Sequence, residues 1–325
     1  MDPMKTIYFF LMCLLSILCS NGLFAADTPE HPVRMAYLQN DIHHLPLWIA
    51  LEKGYFDQEG VSVEIEGVFK AGPEIMSAFA AKALDMAYVG ESPATTAVAN
   101  KATDVVAVSQ VNTEGSAIVV RKDSSLEQLE DLPGSTIAVP GHSTVQDFLL
   151  RKGLSQMDIS LQEVDIIVLK PPEMITALQH HDIDAFIAWE PYPSQAQTLG
   201  IGQNLATSKD LWPNHPCCVI VSSRSFLQSH NRRVKAVVQA NIKAVDFIRK
   251  YPQEAAQIAV KYTGMDQATV VQAMANVHYT PILNRQGEYE YVQFLSELGY
   301  IQLDNPDQFV QTFVNATILN QCNFQ

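Results

Sequence analysis

Two apolar runs in this chain end in the same kind of chemistry. "MAYVGESP" closes on Gly90, Glu91 and Ser92, and "AFIAWEPYP" closes on Trp189, Glu190 and, past a proline, Tyr192. The two glutamates are 99 residues apart, and so are His43 in "QNDIHHLP" and His142 in "GHSTVQD". A carboxylate at a strand end can hold a loop by accepting from backbone N–H groups, or attract an ammonium group. As a facing pair, two carboxylates can serve as general acid and base. Trp189 and Tyr192 flank Glu190 and Pro191, where an aromatic face either packs inward or turns toward a ligand. Ser92, Ser143 and Thr144 stand where helices begin. Their hydroxyls can cap those helices, and the unpaired N–H groups beside them can receive an anion. Gln39 and the His43–His44 pair occupy a third such loop; one histidine is expected to hold the loop and the other to face a ligand, with the choice open. No nucleophile elbow, phosphate loop or zinc-binding helix is present, so the pattern reads as binding rather than catalysis. The candidate ligand-binding set is Gln39, His43, His44, Gly90, Glu91, Ser92, His142, Ser143, Thr144, Trp189, Glu190 and Tyr192. No catalytic residue, cofactor or metal is expected.

The elements that must position these residues form a repeat. "HHLPLWIALEKGYF" aligns with "HSTVQDFLLRKGLS", and "PEIMSAFAAKALDMAYVGESP" with "PEMITALQHHDIDAFIAWEPY", at the same 99-residue shift. Each unit reads as strand, polar loop, amphipathic helix ending at Lys-Gly, strand, helix opened by Pro-Glu, and strand. Alternating strands and helices imply an α/β fold with mostly parallel sheets. Ligands in such sheets collect beyond the strands' carboxyl ends. From about Asn231 onward, five segments with apolar spacing near 3.6 read as helices. The chain is expected to cross between lobes near Val119–Arg121 and Val219–Ser222. Lobe one would then be residues 26–120 with 222–325, and lobe two residues 121–221.

Composition narrows the class. The 325 residues are 47% hydrophobic and 17% charged, enough for a sizeable core, and the net charge of −14 argues against nucleic acid as a partner. Lys5 followed by "IYFFLMCLLSIL" and "CSNGLFAAD" reads as a cleaved secretory signal peptide over residues 1–25, with lipid attachment at Cys19 as the rival reading. Removing it leaves Cys217, Cys218 and Cys322. Only His215 lies near the cysteine pair in sequence, which favours buried thiols over a metal site; a disulfide to Cys322 or between the neighbours stays open.

The segments "AGPEIMSAFAAKALDMAYVGESPATTAVA", "PGHSTVQDFLLRKGL" and "IDAFIAWEPYPSQA" resemble the periplasmic solute-binding proteins of nitrate, sulfonate and taurine ABC importers. The resemblance runs from about Val33 into the carboxyl-terminal helices. It implies a type II periplasmic-binding-protein fold, in which two lobes joined by a hinge close on a small solute. It also implies a monomer that delivers this solute to an inner-membrane permease driven by an ATPase. By position, Gln39, Gly90, Ser92, Ser143, Thr144 and Trp189 correspond to ligand-contacting loops of the family. Glu91 and Glu190 argue against nitrate and for a zwitterion such as taurine or an aminated heteroaromatic. Related proteins bind an aminopyrimidine precursor of thiamine, and a pyrimidine synthase is a remoter relative.

Overall fold

The computed structural model describes residues 31–324, so the expected signal peptide and Cys19 lie outside the described residues. Two sheets are formed. The first has strand order β11-β4-β10-β3-β1-β2, from β1 (Val33–Leu38), β2 (Val63–Phe69), β3 (Met86–Gly90), β4 (Val105–Glu114), β10 (Pro216–Ser223) and β11 (Val277–Tyr279). The second has order β7-β6-β8-β5-β9, from β5 (Ser116–Arg121), β6 (Thr136–Val139), β7 (Asp165–Val168), β8 (Ala185–Trp189) and β9 (Gly202–Thr207). In each, the three strands of the repeat are parallel, and β10 in the first sheet and β5 in the second run antiparallel to them.

The repeat has a physical basis. Asp85 and Asp184 precede the third strand of each unit, and each aspartate locks the start of the first strand. Asp85 Oδ2 accepts from Arg34 N at 3.0 Å while Asp85 N donates to Arg34 O. Asp184 Oδ2 accepts from Thr136 N at 2.9 Å while Asp184 N donates to Thr136 O. This two-way bond sets the parallel register, since a one-residue slip would turn every side chain to the other face.

The helices follow the same plan: α1 (Leu45–Glu52), α2 (Gly72–Ala80) and α3 (Glu91–Ala99) in the first unit, and α4 (Val145–Gln156), α5 (Pro171–Gln179) and α6 (Tyr192–Thr198) in the second. The Pro-Glu openings work as anticipated: Glu74 accepts from Lys70 N at 2.9 Å and Glu173 from Lys170 N at 3.2 Å. The two Lys-Gly endings do not match. Gly54 follows α1 with φ +64°, a left-handed turn suited to glycine. Gly153, by contrast, lies inside α4, where a Cβ would sit 2.8 Å from Leu211 Cδ2. Its glycine permits close packing rather than a stop.

The expected crossing points shift. β5 lies wholly within the second sheet, paired with β8 and β9, so Val119–Arg121 is not a crossing. The chain changes sheets at Glu114 and Gly115, which both have positive φ (62° and 87°). It returns through Asn214 (φ 57°) and His215, and β10 then runs entirely in the first sheet. Apolar runs marked the strands correctly, but the turn residues beside them mark the change of direction.

Five helices complete the chain: α7 (Asn231–Lys250), α8 (Pro252–Thr263), α9 (Gln267–Ala275), α10 (Arg285–Glu297) and α11 (Pro306–Phe313). α7 and α8 cover α1 in the first half; Trp48 stacks on Tyr262 at 5.1 Å between ring centres, and Tyr88 on β3 donates to Asn241 Oδ1 at 3.1 Å. α9 and α10 reach the second half, where Thr198 bonds Thr269 at 2.7 Å and Lys152 meets Glu290 at 3.7 Å.

Candidate functional site

The carboxyl ends of β3 and β6 meet. α3 begins directly at Gly90, whose missing side chain leaves that helix without a side-chain cap. A Cβ at Gly90 would lie 3.1 Å from Val145 Cγ2 of α4, so glycine lets the two halves touch there. Ser92 Oγ donates to Ser143 O at 3.0 Å across the same contact, and Lys170 Nζ reaches Glu74 Oε1 at 2.9 Å. Thr144 caps α4, accepting from Asp147 N at 3.2 Å and donating to Gly141 O at 2.7 Å. Ser143, at φ +62°, donates its N–H to Asp147 Oδ2 at 3.0 Å. Gln39 and His142 are exposed.

At the end of β8 the residues turn inward. Trp189, Glu190 and Tyr192 are all buried, and the two rings meet edge to face at 6.3 Å. Trp189 Nε1 is buried with no hydrogen-bond partner, and the same holds for Asn112 Oδ1 and Thr113 Oγ1 near the end of β4. The Glu190 carboxylate accepts from Ser194 N at 3.1 Å and from Asn276 Nδ2 at 2.6 Å. Burial pushes its pKa up, and these bonds pull against that. Its main chain ties the halves together: Glu190 N donates to Gly115 O at 2.8 Å, and Ile42 N donates to Glu190 O at 3.2 Å.

Beneath this lies a buried polar cluster. His43 donates through Nε2 to Gly115 O at 2.8 Å, which points Nδ1 at Cys217 Sγ (3.5 Å) and Cys218 Sγ (3.7 Å). Asp41 accepts from His43 N at 3.0 Å, and its Oδ1 lies 3.3 Å from His43 Nδ1. Burial opposes charge on His43, but Cys217 and Asp41 outweigh it and raise the imidazole to about 9. Burial likewise works against the Cys217 thiolate, yet Cys218, His43 and His215 hold that thiol well below its ordinary value. Asp41 is raised to about 7, chiefly by burial, with His43 opposing. His44 accepts from Leu38 N through Nδ1 at 3.2 Å and is held to about 3, first by burial and then by the charge on His43. His44 therefore holds the loop, and His43 is not at an open surface either: both histidines are wholly buried.

Glu91 belongs to a second buried set. It accepts from Gln110 Nε2 at 3.1 Å, and Gln110 also donates to Cys218 O at 3.0 Å. Glu288 on α10 lies against Glu91 and accepts from Thr95 Oγ1 at 2.8 Å. Burial raises both carboxyls, Glu91 to about 7 and Glu288 well above its ordinary value. The pair shares a proton, with Glu288 donating to Glu91, because two bare carboxylates cannot sit together away from water.

Among the described residues, the three free cysteines separate into two places. Cys217 and Cys218 are buried with sulfurs 3.9 Å apart, and Cys322 packs against Ile318 O and Lys235 O. Sequence reasoning missed Asp41, Gln110, Asn276 and Glu288, and it missed His43 as partner of the cysteines, 174 residues distant. The local signal was thin: an aspartate two residues ahead of a histidine pair, and a glutamate in a helix that is otherwise read as amphipathic. A cavity of about 480 Å³ between Arg34, Asp85, Phe226 and His230 opens at the opposite ends of the strands, away from these groups. One of about 230 Å³ lies beside Gly115, Glu190 and Asn276.

The model of the NMT1-like family matches residues 26–264. A Bacillus subtilis (strain 168) protein named as an aliphatic sulfonates-binding protein is 29% identical over 291 residues, covering 84% of this chain and 85% of that one. The alkanesulfonate-binding protein SsuA of Xanthomonas axonopodis pv. citri, bound to MOPS, superposes with TM-score 0.75 at 20% identity, over 87% of this chain and 96% of that one. The periplasmic nitrate-binding protein NrtA of Synechocystis PCC 6803 gives TM-score 0.77 at 16% identity, over 89% and 87%. The fold is that of the periplasmic binding proteins.

Proposed function

The chain belongs to the NMT1-like family, and from that membership we propose that it is the substrate-binding component of an ABC importer, taking up a sulfonate-type organic anion. It is a binding protein, not an enzyme. In this reading the two halves are lobes that pivot at Glu114–Gly115 and Asn214–His215 and close over the solute. The lobes then present it to a permease and its ATPase from the periplasmic side. The carrying observation is the Trp189 indole N–H, buried where the halves meet and without a protein acceptor. An unpaired buried donor costs about 1–3 kcal/mol, which an anionic oxygen from a ligand would recover. The uncapped start of α3 offers further N–H groups to the same kind of ligand. An anion is favoured over an aminated ligand because both carboxylates are already engaged, Glu190 by Ser194 and Asn276 and Glu91 by Gln110 and Glu288.

The test is a thermal-shift panel of short alkanesulfonates, taurine, nitrate and an aminopyrimidine, with the solute recovered and analysed afterwards. Sulfonates are expected to raise the melting temperature by ligand linkage and to be recovered unchanged. Trp189→Phe, which keeps the packing and removes the N–H, should weaken binding by about 5- to 140-fold, the equivalent of one lost hydrogen bond of about 1–3 kcal/mol. Stabilisation by the aminopyrimidine alone would replace the sulfonate with the other ligand class, and turnover of any solute would end the binding-protein reading.

A further inference from the structure

We propose that Cys217, Cys218, His43 and Asp41 form a binding site for one zinc ion, a property independent of the solute proposed above. Zinc bonds at about 2.3 Å to sulfur and about 2.0 Å to nitrogen or oxygen. A tetrahedron with those lengths separates its donors by about 3.8 Å (S to S), about 3.5 Å (S to N) and about 3.3 Å (N to O). The observed separations are 3.9 Å between the sulfurs, 3.5 and 3.7 Å from His43 Nδ1 to each sulfur, and 3.3 Å from Nδ1 to Asp41 Oδ1. Asp41 also lies within 4.8 Å of Cys218 in the donor group that it forms with His44. His43 Nδ1 and the two sulfurs thus already stand at metal-bound spacing around one point, and the Asp41 carboxylate, beside Nδ1, would turn in as the fourth donor.

The surroundings are those of a ligated imidazole. Nε2–H is committed to Gly115 O at 2.8 Å, which leaves Nδ1 aimed at the sulfurs. A ligating histidine ordinarily donates its other N–H to a backbone carbonyl or carboxylate in this way. All four donor residues are buried, so an ion would be held without competing water. Two sulfurs exclude magnesium and calcium, which take oxygen ligands, and the carboxylate as fourth donor favours zinc over the all-soft sites that suit copper(I). The ion would take the place of the proton shared between Nδ1 and the thiols, and would tie the first residues of β10 to the loop after β1. It would also pass through His43 to Gly115, where the chain changes sheets.

The experiment uses the purified exported chain, reduced, stripped with a chelator and titrated with zinc chloride; bound metal is counted by plasma mass spectrometry. About one zinc per chain is expected, with a higher melting temperature. Cobalt(II) in its place should give sulfur-to-metal charge-transfer absorption of two-thiolate intensity. C217S and C218S should each abolish the stoichiometric binding, and H43Q should weaken it at least about tenfold. H181N, at an exposed histidine, should leave binding unchanged. The cobalt spectrum of the unmutated protein stands on its own if a cysteine variant fails to fold. Failure to retain zinc, equal retention by C217S, or a cobalt spectrum without thiolate bands would overturn the site. So would a bond between Cys217 and Cys218 that persists in place of metal binding.

Discussion

Glu288→Gln tests the buried carboxyl pair directly. Glu91 and Glu288 are both wholly buried, and burial is the leading cause of their raised pKa values. Glu91 moves from an ordinary 4.5 to about 7, and Glu288 is raised well above that ordinary value, first by burial and then by the Glu91 carboxylate beside it. Since the folded values lie above the unfolded ones, the folded state holds extra protons. The stability these protons confer is complete below about pH 4.5 and is lost as pH rises toward and through the folded values. Each retained proton steepens that loss by about 1.4 kcal/mol per pH unit. Glutamine keeps the acceptor for Thr95 Oγ1 and a donor for Glu91 but removes one titrating group. Between roughly pH 5 and pH 7 the stability curve of the variant should therefore be shallower by about 1.4 kcal/mol per pH unit. Relative to the unmutated protein, the variant gains stability steadily as pH rises across that interval. Urea unfolding at several pH values, with the midpoint and slope fitted at each, measures this difference. Parallel curves for the two proteins would show that no proton is shared there, and the reasoning about the pair would fall.

Two further perturbations probe the contact between the halves. Gly115→Ala should destabilise by about 2–6 kcal/mol, the combined cost of positive φ and overpacking, because φ is +87° and the new Cβ would fall 2.3 Å from His43 Nε2 and 2.8 Å from Val277 Cγ2. Chemical unfolding reads this, and an unchanged midpoint would contradict the packing described at the crossing. Lys170→Met removes the ion pair with Glu74, whose side chains are 27% and 40% exposed, so stability should change by less than about 1 kcal/mol. Because the pair spans the two halves, solute affinity should instead fall a few-fold and become less sensitive to salt, as isothermal titration would show. A large loss of stability with unaltered affinity would mean that the pair serves folding rather than closure.

Much of the fold could be read because its signals are local. The parallel repeat announced itself through Pro-Glu helix starts, aspartates ahead of the third strands and apolar runs of strand length, and each of these has a contact behind it. Asp85 and Asp184 hold the strand register, and Glu74 and Glu173 cap their helices. The Lys-Gly match was a weaker guide, because the same dipeptide ends one helix and continues through the other, where Leu211 packs against Gly153. The crossings were misplaced for a related reason. Val119–Arg121 and Val219–Ser222 look like strand material and are strand material, while Glu114, Gly115 and Asn214 carry the positive φ that redirects the chain.

The polar cluster was not legible, and the reason lies in how a sheet is ordered. β10 inserts between β3 and β4, and its register sets Cys218 opposite Gly90 on one side and Asn112 on the other. Nothing near Cys218 in sequence encodes that register, because pairing partners are chosen by the whole hydrophobic face of each strand. Once it is set, the neighbours follow without freedom. Gly90 leads into Glu91, and Gln110 bridges Glu91 to Cys218 O. Gly115 ends the crossing one residue after β4, where its carbonyl accepts from both Glu190 N and His43 Nε2. A side chain at that position would drive His43 away from the sulfurs. The same glycine therefore joins the two sheets and aims the imidazole, so the geometry of the cysteine–histidine group depends on the crossing being folded.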